Sequence, residues 1–509
     1  MGLLNRVEKA QPLPSTATRP DYYLRLSHER AGRFVNDVHS QLNRTRVRSI
    51  VRPDSINALQ AIIRRARFLG QTISVAGGRH AMGGQQFGTD TLLLDMSGMN
   101  RVLGFDQEHC TVEVEAGIQW PELVSYLVKA QRGFLRQLGI IQKQTGADRL
   151  SLGGALAANI HGRGLSLKPI INDVESFILV DSEGNALRCS RSENKELFGL
   201  AIGGYGLFGI IAHVTLRLQP RRKLARIVRV VDLHDLTTLF EERIADGFLY
   251  GDFQFMTDSN SDGFLRHGVF SCYRPVADDV PVQSSHRELS AEDWQHLLSL
   301  AHTDRRRAFD AYSSHYLSTD GQIYWSDTHQ LSVYLDDYHR ELDEQSGTAE
   351  RGSEMITEVY VPREKLVAFM QATRADFRAH EAELIYGTIR LIEKDDESFL
   401  PWAQERYACV VFNLHVAHTL TGIEKAKEDF RRLIDRAIEH GGSYYLTYHR
   451  WATREQVLAC YPQFPEFLRL KRKYDRAETF QSDWYRHYQA MFAGDCSEFS
   501  LEAASVQTR

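Results

Sequence analysis

A glycine-rich loop around a single histidine has the clearest chemical content of any segment in this sequence. It runs Val75-Ala-Gly-Gly-Arg-His80-Ala-Met-Gly-Gly-Gln85 and follows a short apolar stretch. Because glycine lacks a Cβ atom, such a loop can bring backbone N–H groups against an anionic ligand such as a phosphate. A neutral imidazole at its rim could ligate a metal, act as a base or attack an electrophilic cofactor carbon. The loop therefore indicates an anion site that also uses histidine chemistry.

Small residues recur in a second segment, from Leu150 to Gly162, which reads LSLGGALAANIHG. Small side chains let a backbone approach a flat cofactor closely, and they equally let a helix pack against a sheet. The segment alone does not distinguish these two uses.

Two polar segments in the second half of the chain are further candidates. Arg390 stands between two aliphatic residues, so it is either paired in the interior or offered to an anion. The stretch from Cys409 to His418 is typical of a strand, and its period of two places Asn413 and His415 on one face. His418 falls on the opposite face from His415, so a metal site formed by these two histidines is disfavoured, and no metal is predicted.

The run from Gly441 to Arg450 is rich in aromatic residues and includes Tyr448 and His449. Aromatic residues at a strand end usually serve packing. An imidazole can act as a base, and a phenol can donate or accept a hydrogen bond. His415 and His449 are therefore the preferred candidates for a base, followed by Tyr448.

A dinucleotide fingerprint, G-x-G-x-x-G, is matched letter for letter by Gly204 to Gly209, with Asp232 about twenty residues further on. A Rossmann site needs a strand before the fingerprint and a helix after it. Here a capped helix precedes the motif and an alternating stretch follows it. The sequence favours a tight structural turn and keeps an NAD-dependent Rossmann dehydrogenase as the alternative.

The elements around these motifs mix helices and strands. A helix is predicted from Asp54 and Ser55 to Gly70, followed by a strand over 72–75 that delivers the glycine loop. Further strands are predicted at 92–96, 111–115 and 210–218, and a helix opens at Pro121. Residues 177–189 indicate a hairpin that turns at 182–184, and Ser192 is expected to cap a helix through Leu200. Pro220 marks the first domain boundary.

Composition excludes several classes of protein. A chain of 509 residues is expected to form two or three domains. Its six cysteines are scattered without metal-ligand spacing, which fits a reducing compartment, and a net charge of −5 without basic tracts argues against nucleic-acid binding. Met1 to Arg6 lack a myristoylation signal, and no apolar run suits a signal peptide or membrane span, so a cytoplasmic protein is expected.

The two glycine-containing segments resemble those of the vanillyl-alcohol-oxidase family of flavoproteins. The first is similar to the pyrophosphate loop of cytokinin dehydrogenases, with Arg79 where that pattern has glycine, and His80 stands where many members carry a histidine joined covalently to the flavin. The second is similar to the decaprenylphosphoryl-ribose oxidase branch and is related to alditol and aldonolactone oxidases. Thr388 replaces the glutamate of alditol oxidases, Tyr448 stands where many relatives have a lysine, and Arg476 replaces a proline of the C-terminal pattern.

The resemblance implies an α+β fold, with a two-subdomain PCMH-type FAD-binding domain that is split in sequence and an α+β cap whose antiparallel sheet covers the flavin. The expected divisions are an N-terminal extension (1–46), the FAD-binding domain (47–220), the substrate or cap domain (221–440) and a C-terminal segment that returns to the FAD domain (441–509). The implied activity is transfer of a hydride from a C–H bond of a small hydroxylated substrate (a polyol, sugar or lactone) to N5 of an FAD linked through His80. A non-covalent FAD epimerase or reductase is a further alternative.

The same resemblance supplies the candidate site. The implied catalytic residues are Arg390, Asn413, His415, Tyr448 and His449. The implied FAD-binding residues are Ala76, Gly77, Gly78, Arg79, His80, Ala81, Gln85, Gly146, Ser151, Gly153, Gly154, Ala157, Asn159, His161, Gly162, Gly209, Ile210 and Ile211. The sequence leaves open the substrate, the electron acceptor (oxygen, a quinone or another protein) and whether the chain forms a homodimer.

Overall fold

The computed structural model describes residues 33–283, 286–332, 338–346 and 350–493. The first six residues, for which no myristoylation was predicted, and Cys496 lie outside the described residues, as do parts of the expected N-terminal extension and C-terminal segment. Within the described residues, no helix is long and apolar enough to cross a membrane.

The described part of the chain contains nineteen strands, which pair into four sheets. They are β1 (Arg33–Val35), β2 (Thr45–Val47), β3 (Ser49–Val51), β4 (Ile73–Ala76), β5 (Leu92–Asp95), β6 (Val102–Asp106), β7 (Thr111–Glu115), β8 (Leu138–Ile140), β9 (Val174–Val180), β10 (Ala186–Ser190), β11 (Ile210–Pro220), β12 (Lys223–Asp232), β13 (Tyr250–Phe255), β14 (His267–Pro275), β15 (Ile323–Trp325), β16 (Gly352–Pro362), β17 (Leu384–Ile392), β18 (Tyr407–Ala417) and β19 (Ser443–Tyr444).

Thirteen α-helices occur among the described residues, and most of them pack against these sheets. They are α1 (Ile56–Phe68), α2 (Trp120–Ala130), α3 (Leu152–Ala158), α4 (Lys195–Ala201), α5 (Leu233–Ala245), α6 (Ala291–Thr303), α7 (Arg305–Ser318), α8 (Tyr338–Ser346), α9 (Leu366–Ala379), α10 (Leu420–Glu439), α11 (Arg454–Cys460), α12 (Phe464–Tyr474) and α13 (Asp483–Met491). The predicted mixture of helices and strands is confirmed.

A three-stranded parallel sheet, in the order β3-β5-β4, presents the glycine loop at the end of β4. Helix α1 begins where the side chain of Ser55 accepts a hydrogen bond from the Ala58 N–H, and it buries Leu59 and Ile63. This arrangement confirms the helix and strands predicted here from apolar spacing and cap residues.

A second, antiparallel sheet has the order β10-β9-β11-β7-β6, with β8 also paired to β11. The predicted hairpin is confirmed as β9 and β10. Ser192 was the wrong cap for α4, because the Oγ of Ser190 accepts the N–H groups of Ser192 and Glu193 and folds these residues into a turn. The helix starts two residues later, after Asn194 at φ +47°.

The third large unit is an eight-stranded antiparallel sheet in the order β15-β12-β14-β13-β17-β18-β16-β19. On one face, α5 packs Phe240 edge-on against Phe270 of β14, with ring centroids 4.9 Å apart. On the other face, Tyr316 of α7 lies under the guanidinium of Arg226 of β12. The strand predicted at 409–418 is confirmed, with Phe412, Leu414 and Val416 buried.

After the large sheet, the chain returns to the glycine loop. Gly83 donates its N–H to the Thr447 carbonyl at 3.1 Å, and Asp483 donates to the Phe87 carbonyl at 2.7 Å. Ile73 of β4 also forms a parallel bridge with Phe480. These contacts fix the 447–483 region against the start of the chain, so residues nearly 400 positions apart meet beside one loop.

Candidate active site

A cavity of about 770 Å³ lies between the glycine loop and the eight-stranded sheet. One wall of the cavity is formed by the loop after β4 and by α3. The opposite wall is formed by side chains of the large sheet, on the same face as α7, from strands β12, β13, β17, β18 and β16. This volume is in the range of cofactor and ligand sites. The cavity therefore brings the candidate anion site and the candidate reacting residues into one space.

The glycine loop is packed so closely that side chains at two of its positions would collide with its neighbours. A Cβ at Gly77 would lie 1.9 Å from the Oγ of Ser151, and one at Gly78 would lie 2.2 Å from the Arg149 carbonyl oxygen. Arg79 adopts φ +61°, which is costly for a residue with a Cβ and explains why a similar pattern has glycine there. The loop backbone is thereby held directly against the cavity.

His80 lines the cavity and is paired with a second histidine. Its Nδ1 lies 2.8 Å from the Nε2 of His39, and the two rings are tilted by 51°. Burial, helped by the nearby His339, lowers the pKa of His39 to about 4. His39 is consequently neutral at physiological pH and can accept a hydrogen bond from an Nδ1–H of His80.

The second small-residue segment forms α3 and borders the same cavity. The Oγ of Ser151 accepts from the Gly154 N–H and caps the helix. A Cβ at Gly153 would lie 2.9 Å from the Cβ of Ala116, so this helix also packs against its neighbour through glycine. The small residues of this segment therefore serve close packing on one side, and on the other side they border the cavity.

The structure brings most of the candidate cofactor residues to the cavity. Those that line it are Gly77, Gly78, Arg79, His80, Ala81, Gln85, Gly146, Ser151, Gly153, Gly154, Ala157, Gly209, Ile210 and Ile211. Four others do not line it: Ala76, Asn159, His161 and Gly162.

Three of these four residues have evident structural roles, and His161 is described below. Ala76 is the buried last residue of β4. Asn159 ends α3 at φ +51° and donates from Nδ2 to Asp395 at 2.9 Å. A Cβ at Gly162 would lie 2.7 Å from the Lys143 carbonyl oxygen. Their positions do not support direct contact with a ligand in the cavity.

Three of the five candidate catalytic residues reach the cavity: Arg390, Asn413 and Tyr448. The Nε of Arg390 and the Oδ1 of Asn413 are buried, and neither has a hydrogen-bond partner among the described residues. Because burying an unpaired polar atom is costly, these two atoms are suited to hydrogen-bond a ligand in the cavity.

Tyr448 connects the cavity to a buried carboxylate that the sequence analysis missed. The Tyr448 hydroxyl accepts from Nε2 of Gln144 at 3.2 Å and donates to Oε2 of Glu358 at 3.4 Å. Oε1 of Glu358 is 2.5 Å from Nε2 of His161. A continuous series of polar contacts thus connects Tyr448 to Glu358 and Glu358 to His161. The available signal for Glu358 was an acidic residue within a largely apolar strand.

The charges and burial around Glu358 and Tyr448 determine which of these two groups carries a proton. Burial raises the pKa of Glu358, but the His161 ring and the Arg390 guanidinium outweigh burial and hold that pKa below its usual range. Burial and the neighbouring Glu358 raise the pKa of Tyr448 well above its usual value. The phenol therefore keeps its proton, and the carboxylate beside it is ionised.

The two histidines favoured as bases lie outside the cavity lining. His449 is 1% exposed, packs its ring against Phe430 and lies 3.3 Å from Oγ1 of Thr357. Burial and the nearby Arg431 lower its pKa to about 3. His415 shares the strand face of Asn413 but lies against Glu354 at 3.5 Å. Neither position supports a role as the base.

Sequence reasoning also missed a basic and aromatic end of the cavity. Arg226 donates from Nε and Nη2 to the Tyr273 hydroxyl, and Arg163 lies with its guanidinium carbon 4.9 Å from the same ring. Asp252 approaches Arg163 at 3.7 Å, whereas Arg226 has no ion pair with any described residue. The available signal was an arginine that alternates with the aliphatic residues of one strand.

The G-x-G-x-x-G run lies between α4 and β11. A helix precedes it and a strand follows it, which is the reverse of a Rossmann site. A Cβ at Gly204 would lie 1.9 Å from the Leu200 carbonyl oxygen, and Gly206 has φ +75°. The structure therefore supports the tight turn and gives the NAD alternative no support.

Comparison with known proteins places the cavity in context. Residues 47–190 match the model of a family described as FAD binding domain. The chain is 31% identical over 169 residues to L-gulonolactone oxidase of Mus musculus, covering 33% of this chain and 37% of that protein. It is 25% identical over 444 residues to L-gulono-1,4-lactone dehydrogenase of Mycobacterium tuberculosis, covering 86% and 95%. It is 26% identical over 254 residues to cytokinin dehydrogenase 4 of Oryza sativa subsp. japonica, covering 47% and 45%.

Proposed function

We propose, from the PCMH-type FAD-binding domain that residues 47–190 form, that this chain is an FAD-dependent oxidoreductase acting on a CH–OH group. The recognition of that domain from the glycine motifs is confirmed, and lactone-oxidising enzymes and a cytokinin dehydrogenase are among the relatives. The single observation that supports the reaction is the cavity that joins the His80 loop to Arg390, Asn413 and Tyr448.

The residues present fit a flavin dinucleotide. The loop backbone at Gly77 and Gly78 lines the cavity and leaves no space for a Cβ, and the N-terminus of α3 follows at Ser151. Backbone N–H groups in such positions suit a pyrophosphate. When bound, the flavin would accept a hydride from a C–H bond of the substrate.

A covalent link through His80 is part of the proposal. It would join Nε2 of His80 to the flavin ring methyl in place of one methyl C–H bond; the flavin ring would take up the two electrons and that methyl proton, and the imidazole would lose its own proton from Nδ1. His39, kept neutral and 2.8 Å from Nδ1 of His80, would orient the ring and accept the Nδ1 proton. Acid precipitation tests the link, because a covalent flavin stays in the pellet; yellow supernatant with a colourless pellet would leave a non-covalent FAD protein.

Tyr448 and Glu358 would remove the hydroxyl proton of the substrate. As the substrate O–H bond breaks, the Tyr448 oxygen takes that proton while its own proton passes to Glu358, which His161 holds in place. The conservative pair Tyr448→Phe and Glu358→Gln interrupts this path at two points. Both variants should retain flavin while the rate of flavin reduction falls by about 10²–10⁴-fold. Unchanged reduction in both would eliminate the path.

The arginines support a sugar-derived substrate with oxygens at the carboxyl oxidation level, as in an aldonolactone or aldonate. Arg163, Arg226 and Arg390 all line the cavity, and Asp252 is the carboxylate that approaches one of them. Arginine forks match carboxyl oxygens, and hydroxyl groups suit the unpartnered Oδ1 of Asn413. The relatives named for gulonolactone are consistent with this class.

The test is anaerobic titration of the yellow protein with matched compounds, followed by the loss of flavin absorbance. An aldono-1,4-lactone or its aldonate should reduce the flavin at lower concentration than the corresponding alditol, which lacks the carboxyl oxygens. Equal response to the alditol would refute the arginine argument, and a protein that stays colourless with added FAD would refute the function. Mixing the reduced protein with oxygen or a quinone then identifies the electron acceptor.

A further inference from the structure

A group of three histidines converges on one buried glutamate outside the cavity lining. Glu354 of β16 is 4% exposed and lies directly across from His415 of β18 in the strand pairing. His302 approaches from the last turn of α6, and His339 from the first turn of α8. We call these four residues the His–Glu cluster; four separate elements of the fold contribute to it.

The distances in the cluster are short. Oε1 of Glu354 lies 2.9 Å from Nε2 of His302 and 3.5 Å from Nδ1 of His415, and Oε2 lies 2.8 Å from Nδ1 of His339. The ligand atoms of His302, Glu354 and His415 all lie within 4.8 Å of one another. Two atoms bound to one tetrahedral cation at 2.0–2.2 Å are about 3.3 Å apart. The observed spacings bracket that value.

The orientation of these atoms is the second observation that points to a ligand. Oε1 of Glu354, Nε2 of His302 and Nδ1 of His415 are buried, yet none makes a hydrogen bond of acceptable geometry with a described residue. Buried polar atoms are normally satisfied, and an unsatisfied carboxylate oxygen beside two unsatisfied imidazole nitrogens is an unusual concentration of orphan atoms. A shared cation would satisfy all three at once.

We propose that the His–Glu cluster binds a first-row divalent cation, with zinc the expected occupant. Imidazole nitrogens with one carboxylate oxygen are a ligand set that zinc uses, and His339 is placed to hold the second carboxylate oxygen. The site fastens α6 and α8 to the β16–β18 pair. The next residues on the same face, Ile356 and Asn413, are paired with each other and line the cavity. The cation therefore holds the outer wall of the cavity and takes no part in electron transfer.

Metal analysis of the purified flavin-containing protein tests the site. After dialysis against zinc and then against metal-free buffer, the wild-type protein should retain one zinc per chain, and a chelator that removes it should lower Tm. Glu354→Gln and the double variant His302→Ala/His415→Ala should lose the zinc while keeping flavin. His296→Ala, on the exposed part of the same helix α6, is the matched control and should retain it.

Two results would overturn the proposal. One is a wild-type protein that retains no zinc and does not take it from a chromophoric chelator in competition; the other is zinc retained by the double variant. If the variants fail to fold, the wild-type competition titration alone decides the matter.

Discussion

Adding a methyl group at Gly77 and removing the side chain of Ser151, which it would touch, should show how tightly the glycine loop is packed. A Cβ at Gly77 would lie 1.9 Å from Oγ and 2.8 Å from Cβ of Ser151, whose Oγ also caps α3. Gly77→Ala must therefore displace Ser151, and overpacking of this kind costs about 1–3 kcal/mol while loss of the cap costs about 0.5–2 kcal/mol. We expect a loss of about 2–4 kcal/mol in the free energy of unfolding, and a lower flavin content.

The double variant Gly77→Ala/Ser151→Gly makes the reasoning refutable. Ser151→Gly alone should cost only a few tenths of a kcal/mol at the cap, because glycine is tolerated there. The double variant removes both close contacts and should recover about 1–3 kcal/mol relative to additivity. The assay is chemical unfolding together with the ratio of flavin to protein absorbance. Gly104→Ala, where a Cβ would meet nothing within 4 Å, is the control. Strict additivity, or a fully stable Gly77→Ala variant, would refute the steric argument.

Three other substitutions test buried ionisable groups. Burial raises the pKa of Asp173 from 3.8 to about 7, so the wild-type protein loses stability as pH rises through this window. In thermal unfolding, Asp173→Asn should therefore be more stable than wild type by roughly 4 kcal/mol at pH 8 and unchanged at pH 4. The pKa of His449 is lowered to about 3, so the stability that its neutral ring contributes is present above pH 6.5 and is lost as pH falls. At pH 4, His449→Gln should therefore be about 3 kcal/mol more stable than wild type, with unchanged turnover. Lys471→Met leaves the buried Asp475 without its cation and should cost about 3–5 kcal/mol in chemical unfolding, and an unchanged stability would refute this reasoning.

The parts of the site predicted from the sequence are those with local requirements. The loop at Gly77 and Gly78 needs residues without a Cβ, and α3 needs a cap such as Ser151, so these functions leave a mark within a few consecutive positions. The alternation around Asn413 likewise identified its strand face correctly, because the period of two is a property of one strand.

The parts that sequence reasoning missed depend on pairings between distant segments. The alternation of a strand places His415 on the same face as Asn413, but only Asn413 lines the cavity. Beyond Asn413, this face is covered by the contact between Glu354 of β16 and His302 of α6. Tyr448 and His449 are neighbours in a segment without regular structure, so no periodicity tells which of them faces the cavity. Glu358 becomes significant only when strand β16 lies beside His161, about two hundred positions earlier.

The two ends of the cavity are joined by a short and well-anchored connection. Strand β11 begins with Ile210 and Ile211 at the glycine-loop end of the cavity, and β12 carries Arg226 at the basic end, with only two residues between the strands. The first of those two residues, Arg221, bonds to the buried Asp327. A connection so short cannot let one sheet move freely over the other. The distance between the two ends of the cavity is therefore set by the backbone, and under the proposed function the side chains of the large sheet would decide which substrate binds.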